Sequence, residues 1–100
     1  MAWTIDFDAS ALKDLARLGR SEQLRIERYL HERVALANSP RELGKALVGS
    51  RFGQLWRYRV GDYRIICQIN DDVLLVLVLE IGHRSVVYRR PLACLARKIR

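Results

Sequence analysis

No stretch of this sequence approaches the roughly 20 consecutive apolar residues of a membrane-spanning helix; the longest apolar run, Val73 to Leu79, falls far short. No signal-like apolar segment opens the chain either, since Asp6 and Asp8 interrupt its first residues. The expectation is a cytoplasmic protein without a membrane anchor. Cysteine is scarce: Cys67 and Cys94 have no Cys-x-x-Cys spacing and only His31 and His83 for company. That excludes a zinc site and a disulfide framework, leaving two free, buried thiols in a reducing compartment. Repeats, low-complexity tracts and linkers are absent, so residues 1–100 read as one domain with one core. Acidic residues are also few, 11 against 18 Lys and Arg, for a net charge of +7. The excess calls for a polyanionic partner: nucleic acid, an acidic protein segment or, third in order, a membrane surface.

Periodicity divides the chain into short elements. Thr4 to Phe7 reads as a strand with Trp3, Ile5 and Phe7 on one side. Asp8 or Ser10 caps a first helix carrying Leu12, Leu15, Ala16 and Leu18 at helical spacing, and Gly19 stops it. A second helix opens at Ser21, presents Leu24, Tyr29 or Leu30, Val34 and Ala37, pairs Arg28 with Glu32, and ends near Asn38-Ser39-Pro40. Residues 41–54 contain three glycines and no sustained period, so they read as a long, candidate functional loop. After a turn at Asn70 to Asp72, Val73 to Leu79 has the continuous apolar character of a strand covered on both faces. Ile81 to Tyr88 continues into a bend and strand, and Pro91 to Ile99 into a short basic helix. The fold class is α+β: a small, mainly antiparallel sheet against a two-helix hairpin.

The residues between Leu55 and Ile66 carry the functional signal. Gly61-Asp62 is a two-residue hairpin turn, and this register sets Val60 opposite Tyr63 and Arg59 opposite Arg64. Alternation then gives Trp56, Tyr58, Val60, Tyr63 and Ile65 to one face, best read as core, with base stacking as the competing use. Arg57, Arg59 and Arg64 take the other. Like charges directly across a strand pair are destabilising; an anionic ligand relieves the repulsion, whereas the alternative is an array of edge-protecting, solubilising side chains. Guanidinium groups suit phosphate because they bind two oxygens at once and stay charged. Arg84 and Tyr88 can reach this face from the neighbouring strand. His83 is either an acid or base beside it or a polar surface residue. Tyr88 either contacts the ligand or packs beneath the last helix. Lys45 and Arg51 add charge beside the hairpin or simply solubilise.

Gly-Asp-Tyr-Arg-Ile-Ile at residues 61–66, then Ile-Gly-His-Arg at 81–84, then Tyr88, resembles the RelE/ParE superfamily of bacterial toxin–antitoxin toxins. The resemblance spans nearly the whole chain. It implies a twisted sheet of about four strands on an α-hairpin with a short C-terminal helix, and a RelB-like antitoxin whose acidic or amphipathic segment wraps the toxin. Operator DNA would be reached only through that antitoxin. RelE-type members are ribosome-dependent endoribonucleases that cut mRNA in the ribosomal A site; ParE-type members poison DNA gyrase, and an idle co-repressor is a third possibility. The resemblance carries the RelE-type basic positions onto Arg57, Arg59, Arg64 and Arg84, and the late tyrosine onto Tyr88. This set favours the ribonuclease branch, needing no cofactor or metal, with Lys45, Arg51, Arg89 and Arg90 as further RNA contacts.

In that chemistry the 2′-hydroxyl attacks the adjacent phosphorus, leaving a 2′,3′-cyclic phosphate and a 5′-hydroxyl. Arg57, Arg64 and Arg84 would hold the phosphorane charge, and Tyr88 would orient a nucleotide. Better-known relatives have lysine where this chain has Arg57 and Arg59, and arginine is no proton acceptor. His83 is the first choice of base, ahead of Glu80, Tyr88 and cationic stabilisation of the alkoxide alone.

Overall fold

Alternation of Trp3, Ile5 and Phe7 with Thr4 and Asp6 builds strand β1 (Thr4–Phe7) in the computed structural model, which describes residues 2–46 and 55–83. Asp8 ends the strand and caps helix α1 (Ala9–Ala16), its carboxylate accepting from the Ser10 amide at 3.1 Å. Helix α1 ends short of Gly19, the expected stop, and Gly19 then serves as N-cap of helix α2 (Arg20–Arg28). The helix then widens into a π-helical segment over Tyr29–Val34, where the Ala35 amide donates to the Leu30 carbonyl at 2.9 Å. Ile26, Leu30 and Val34, each four residues apart, form the buried line, while Leu24 remains 47% exposed. The expected stripe was therefore misplaced at its first position. Arg28 and Glu32 do pair, at 3.4 Å, on the exposed side.

The proline expected to end the helix starts a 3₁₀ turn, Pro40–Leu43, fixed by a capping box between Ser39 and Glu42. Part of the expected 41–54 loop is thus ordered: beyond Gly44, Lys45–Ala46 forms a short strand, β2. It pairs with β3 (Leu55–Val60), which turns tightly into β4 (Tyr63–Asn70); β5 (Leu75–His83) follows. The expected strand at Val73 starts two positions late, because the turn consumes Val73, 62% exposed, and Leu74, held left-handed at φ 51°.

Five strands, not four, form the sheet in the order β1-β5-β4-β3-β2. The β1–β5 pair is parallel and the others antiparallel. Helices cover one face, where Ala11, Leu15, Ile26, Leu30 and Val34 pack on Tyr58, Ile65, Cys67, Val76 and Val78. Leu55, Ile66 and Leu79 form a smaller buried cluster on the other face. Tyr58 ties the 3₁₀ turn to the core by donating from its hydroxyl to the Pro40 carbonyl at 2.6 Å. Among the described residues no helix is long and apolar enough to cross a membrane. The expected C-terminal helix, the strand beyond His83 and Cys94 lie outside the described residues.

Candidate functional site

Gly61 supplies the positive φ, 60°, of the two-residue turn, and this short connection fixes the β3–β4 register. Val60 pairs with Tyr63 and Arg59 with Arg64, as the spacing predicts. The core claims Tyr58, Val60 and Ile65, so alternation sends Arg57, Arg59 and Arg64 to the face away from the helices. Strand β2 adds a fourth cation, because Lys45 is the direct partner of Arg57. Gly44 makes this approach possible: a Cβ there would lie 2.7 Å from the Trp56 indole and collide with the Arg57 carbonyl. Lys45 and Arg59 are exposed, whereas Arg57 and Arg64 are half-buried.

Strand β5 contributes through an irregularity. Ile66 pairs with Glu80, but the adjacent Cys67 pairs with Val78, leaving Leu79 as an extra residue. A bulge of this kind turns two neighbouring side chains to one side. Leu79 accordingly joins Leu55 and Ile66, and Glu80 falls in the row Arg57–Ile66–Glu80, while Ile81 returns to the helix-side core. Glu80 is the one buried charged side chain among the described residues, at 9% exposure.

The same parity change carries His83 away from the arginines. It pairs with Tyr63, and the two rings meet edge to face at 5.5 Å and 89°. Both line a cleft of about 490 Å³ against α1, together with Glu80, Lys13, Asp14 and Arg17. There the Asp14 carboxylate accepts from the Ile81 amide at 3.1 Å, continuing the hydrogen bonding of β5 past the end of β1. The structure therefore brings together Lys45, Arg57, Arg59 and Arg64 but not His83. Arg51, Arg84, Tyr88, Arg89 and Arg90 lie outside the described residues. Glu80, placed behind His83 from the sequence, pairs with Ile66 beside Arg57 and lines the same cleft as His83. Burial pushes the Cys67 thiol up, which makes it an inert core residue.

The family model described as the ParE toxin of type II toxin–antitoxin systems, parDE, matches residues 5–88. The mRNA interferase toxin RelE of Escherichia coli strain K12 is 32% identical over 90 residues, covering 88% of this chain and 92% of the relative. Toxin RelG of Mycobacterium tuberculosis is 29% identical, covering 90% of this chain and 100% of its own length. A chain of the intact E. coli RelBE toxin–antitoxin complex superposes with a TM-score of 0.66 at 29% identity, covering 82% of this chain and 96% of that one. On these matches the chain belongs to the RelE/ParE superfamily of type II toxin–antitoxin systems as a RelE-type toxin.

Proposed function

We propose that this toxin is an endoribonuclease that cuts messenger RNA in the ribosomal A site and so stops translation. The observation that carries the reading is the cationic array on one sheet face, in which Lys45 pairs with Arg57 and Arg59 with Arg64. Folding gains nothing from like charges in register, whereas a phosphate diester between them offsets their repulsion. The E. coli relative named an mRNA interferase supports the same assignment.

The scissile phosphate binds among Arg57, Arg59 and Arg64; Arg84 and Tyr88 complete the site, with Arg51, Arg89 and Arg90 on flanking RNA. The 2′-hydroxyl oxygen attacks phosphorus as its proton leaves. The bond to the 5′-oxygen breaks, giving a 2′,3′-cyclic phosphate and, once protonated, a 5′-hydroxyl. Fixed guanidinium groups stabilise the phosphorane charge without reorganising. The register supports Glu80 ahead of His83 as proton acceptor: it pairs with Ile66, the partner of Arg57, while also lining the cleft that holds His83. The setting is the cytoplasm, and the partners are the ribosome with its message and a RelB-like antitoxin with an acidic or amphipathic segment.

The ParE family match favours a second reading, inhibition of DNA gyrase by binding alone. One experiment separates them: purified toxin on programmed ribosomes with primer extension along the message, beside a gyrase supercoiling reaction. Ribosome-dependent cuts abolished by a 2′-deoxy nucleotide at the scissile position support the nuclease. Gyrase inhibition with an intact message overturns it.

A further inference from the structure

Strand β1 runs out before β5 does. The Asp8 amide donates to the Val78 carbonyl at 2.8 Å, and there the chain leaves the sheet to begin α1 at Ala9, so β1 offers β5 no partner beyond Val78. Backbone groups alternate between the two edges of a strand. With the Val78 carbonyl facing β1, unbroken alternation would turn the Glu80 amide to this edge and the Ile81 amide toward β4. The amide found here is that of Ile81, which donates to the Asp14 carboxylate of α1 at 3.1 Å. The extra residue at Leu79 accounts for the change.

Asp14 therefore binds a donor that only the bulge presents to it. Ile81 is buried, and a buried amide without a partner is costly, so the bulged register needs an acceptor where β1 no longer supplies one. Unbroken pairing onward from Cys67 and Val78 would set Glu80 opposite Ile65, a residue of the helix-side core, rather than opposite Ile66. The Asp14 bond and the placement of Glu80 thus belong to one register.

We propose that Asp14 is a positioning residue for RNA cleavage: through the Ile81 amide it holds β5 in the bulged register and so keeps Glu80 beside Ile66, the partner of Arg57. Asp14 stands on α1 and acts only through the strand. The catalytic consequence rests on the nuclease reading with Glu80 as proton acceptor, whereas the hold on the register does not. Because a carboxylate in the core opposes the unbroken register as well, loss of Asp14 loosens the end of β5 rather than converting it. Catalysis is sensitive to such loosening, since displacements of about 1 Å already cost rate.

The test compares Asp14→Ala with Asp14→Asn in the full chain, asparagine retaining an oxygen that can accept from the Ile81 amide. In Asp14→Ala we expect faster hydrogen exchange at Ile81, a weaker nuclear Overhauser contact between Ile66 and Glu80, and a roughly tenfold lower kcat with KM for programmed ribosomes unchanged. Asp14→Asn recovers most of each. In a Glu80→Gln background, Asp14→Ala costs less than about twofold, because the group it positions is already gone. Unchanged Ile81 exchange in Asp14→Ala, or an equal loss in Asp14→Asn, would overturn the hold on the register. A loss confined to KM, or a full tenfold loss in the Glu80→Gln background, would overturn the positioning of Glu80. A parent toxin that leaves messages intact, while Ile81 exchange still depends on Asp14, disproves the nuclease reading and leaves the register assignment in place.

Discussion

Arg59 is the direct cross-strand partner of Arg64 in the β3–β4 hairpin, on the face turned away from both helices. Arg64→Gln removes one cation from that pair while keeping a polar, strand-compatible side chain. Stability should rise by about 0.5 kcal/mol in urea unfolding. Ribosome-dependent cleavage should fall at least tenfold in the same protein. Loss of both stability and activity would identify Arg64 as a structural residue instead.

Glu80 and His83 make a second pair of variants. Glu80→Gln is expected to slow cleavage by about 100-fold or more with ribosome binding retained, the scale of a lost general base. His83→Ala should change the rate by only a few-fold, because its ring packs on Tyr63 on the opposite face. Single-turnover rates, with thermal unfolding as the check on folding, decide between them. A steep loss above pH 6 in His83→Ala would restore histidine as the base.

Gly44 has an ordinary extended backbone, φ −137°, so its substitution tests space rather than strain. The added methyl of Gly44→Ala meets the Trp56 ring and the Arg57 carbonyl. We expect a loss of about 1–3 kcal/mol, with β2 lifted from β3. Faster hydrogen exchange across Lys45–Ala46 and weaker RNA binding than for Lys45→Ala would register the displaced strand.

Arg41 donates two hydrogen bonds to Asp71, at 2.9 and 2.8 Å, joining the 3₁₀ turn to the β4–β5 turn. The hydrogen bond from Arg41 is the main cause holding the Asp71 carboxyl below its ordinary 3.8. Since the folded value is the lower one, the stabilisation is fully present above about pH 4 and is lost as pH falls through the folded value. Asp71→Asn should therefore be less stable than the parent at neutral pH, and the two unfolding midpoints should converge in acid.

Tyr58→Phe keeps the ring and removes the hydroxyl that reaches the Pro40 carbonyl at 2.6 Å. A buried acceptor losing its donor costs about 1–3 kcal/mol. Urea unfolding measures the loss, and the hairpin register should persist in the amide spectrum.

Local rules settled much of this protein. The Gly61-Asp62 turn is so short that it allows one register, which is why the Arg59–Arg64 pairing and the two-faced character of the hairpin were legible from spacing. The Asp8 cap, the Arg28–Glu32 pair and the burial of Cys67 were equally local or compositional. Other features depend on partners distant in sequence. Leu24 and Ile26 are both plausible core residues on a helix, and only packing against the sheet buried one and exposed the other. A two-residue strand at Lys45–Ala46 has too little pattern to announce itself; it exists because Gly44 fits over Trp56 and β3 offers a free edge. Most consequential is the extra residue at Leu79. Alternation carried unbroken from Val76 and Val78 would turn Glu80 into the core and His83 toward the arginines; one unpaired residue reverses both. Spacing alone specified a basic hairpin face, whereas strand pairing set the parity of Glu80 and His83, because a bulge forms between strands and is invisible in either one alone.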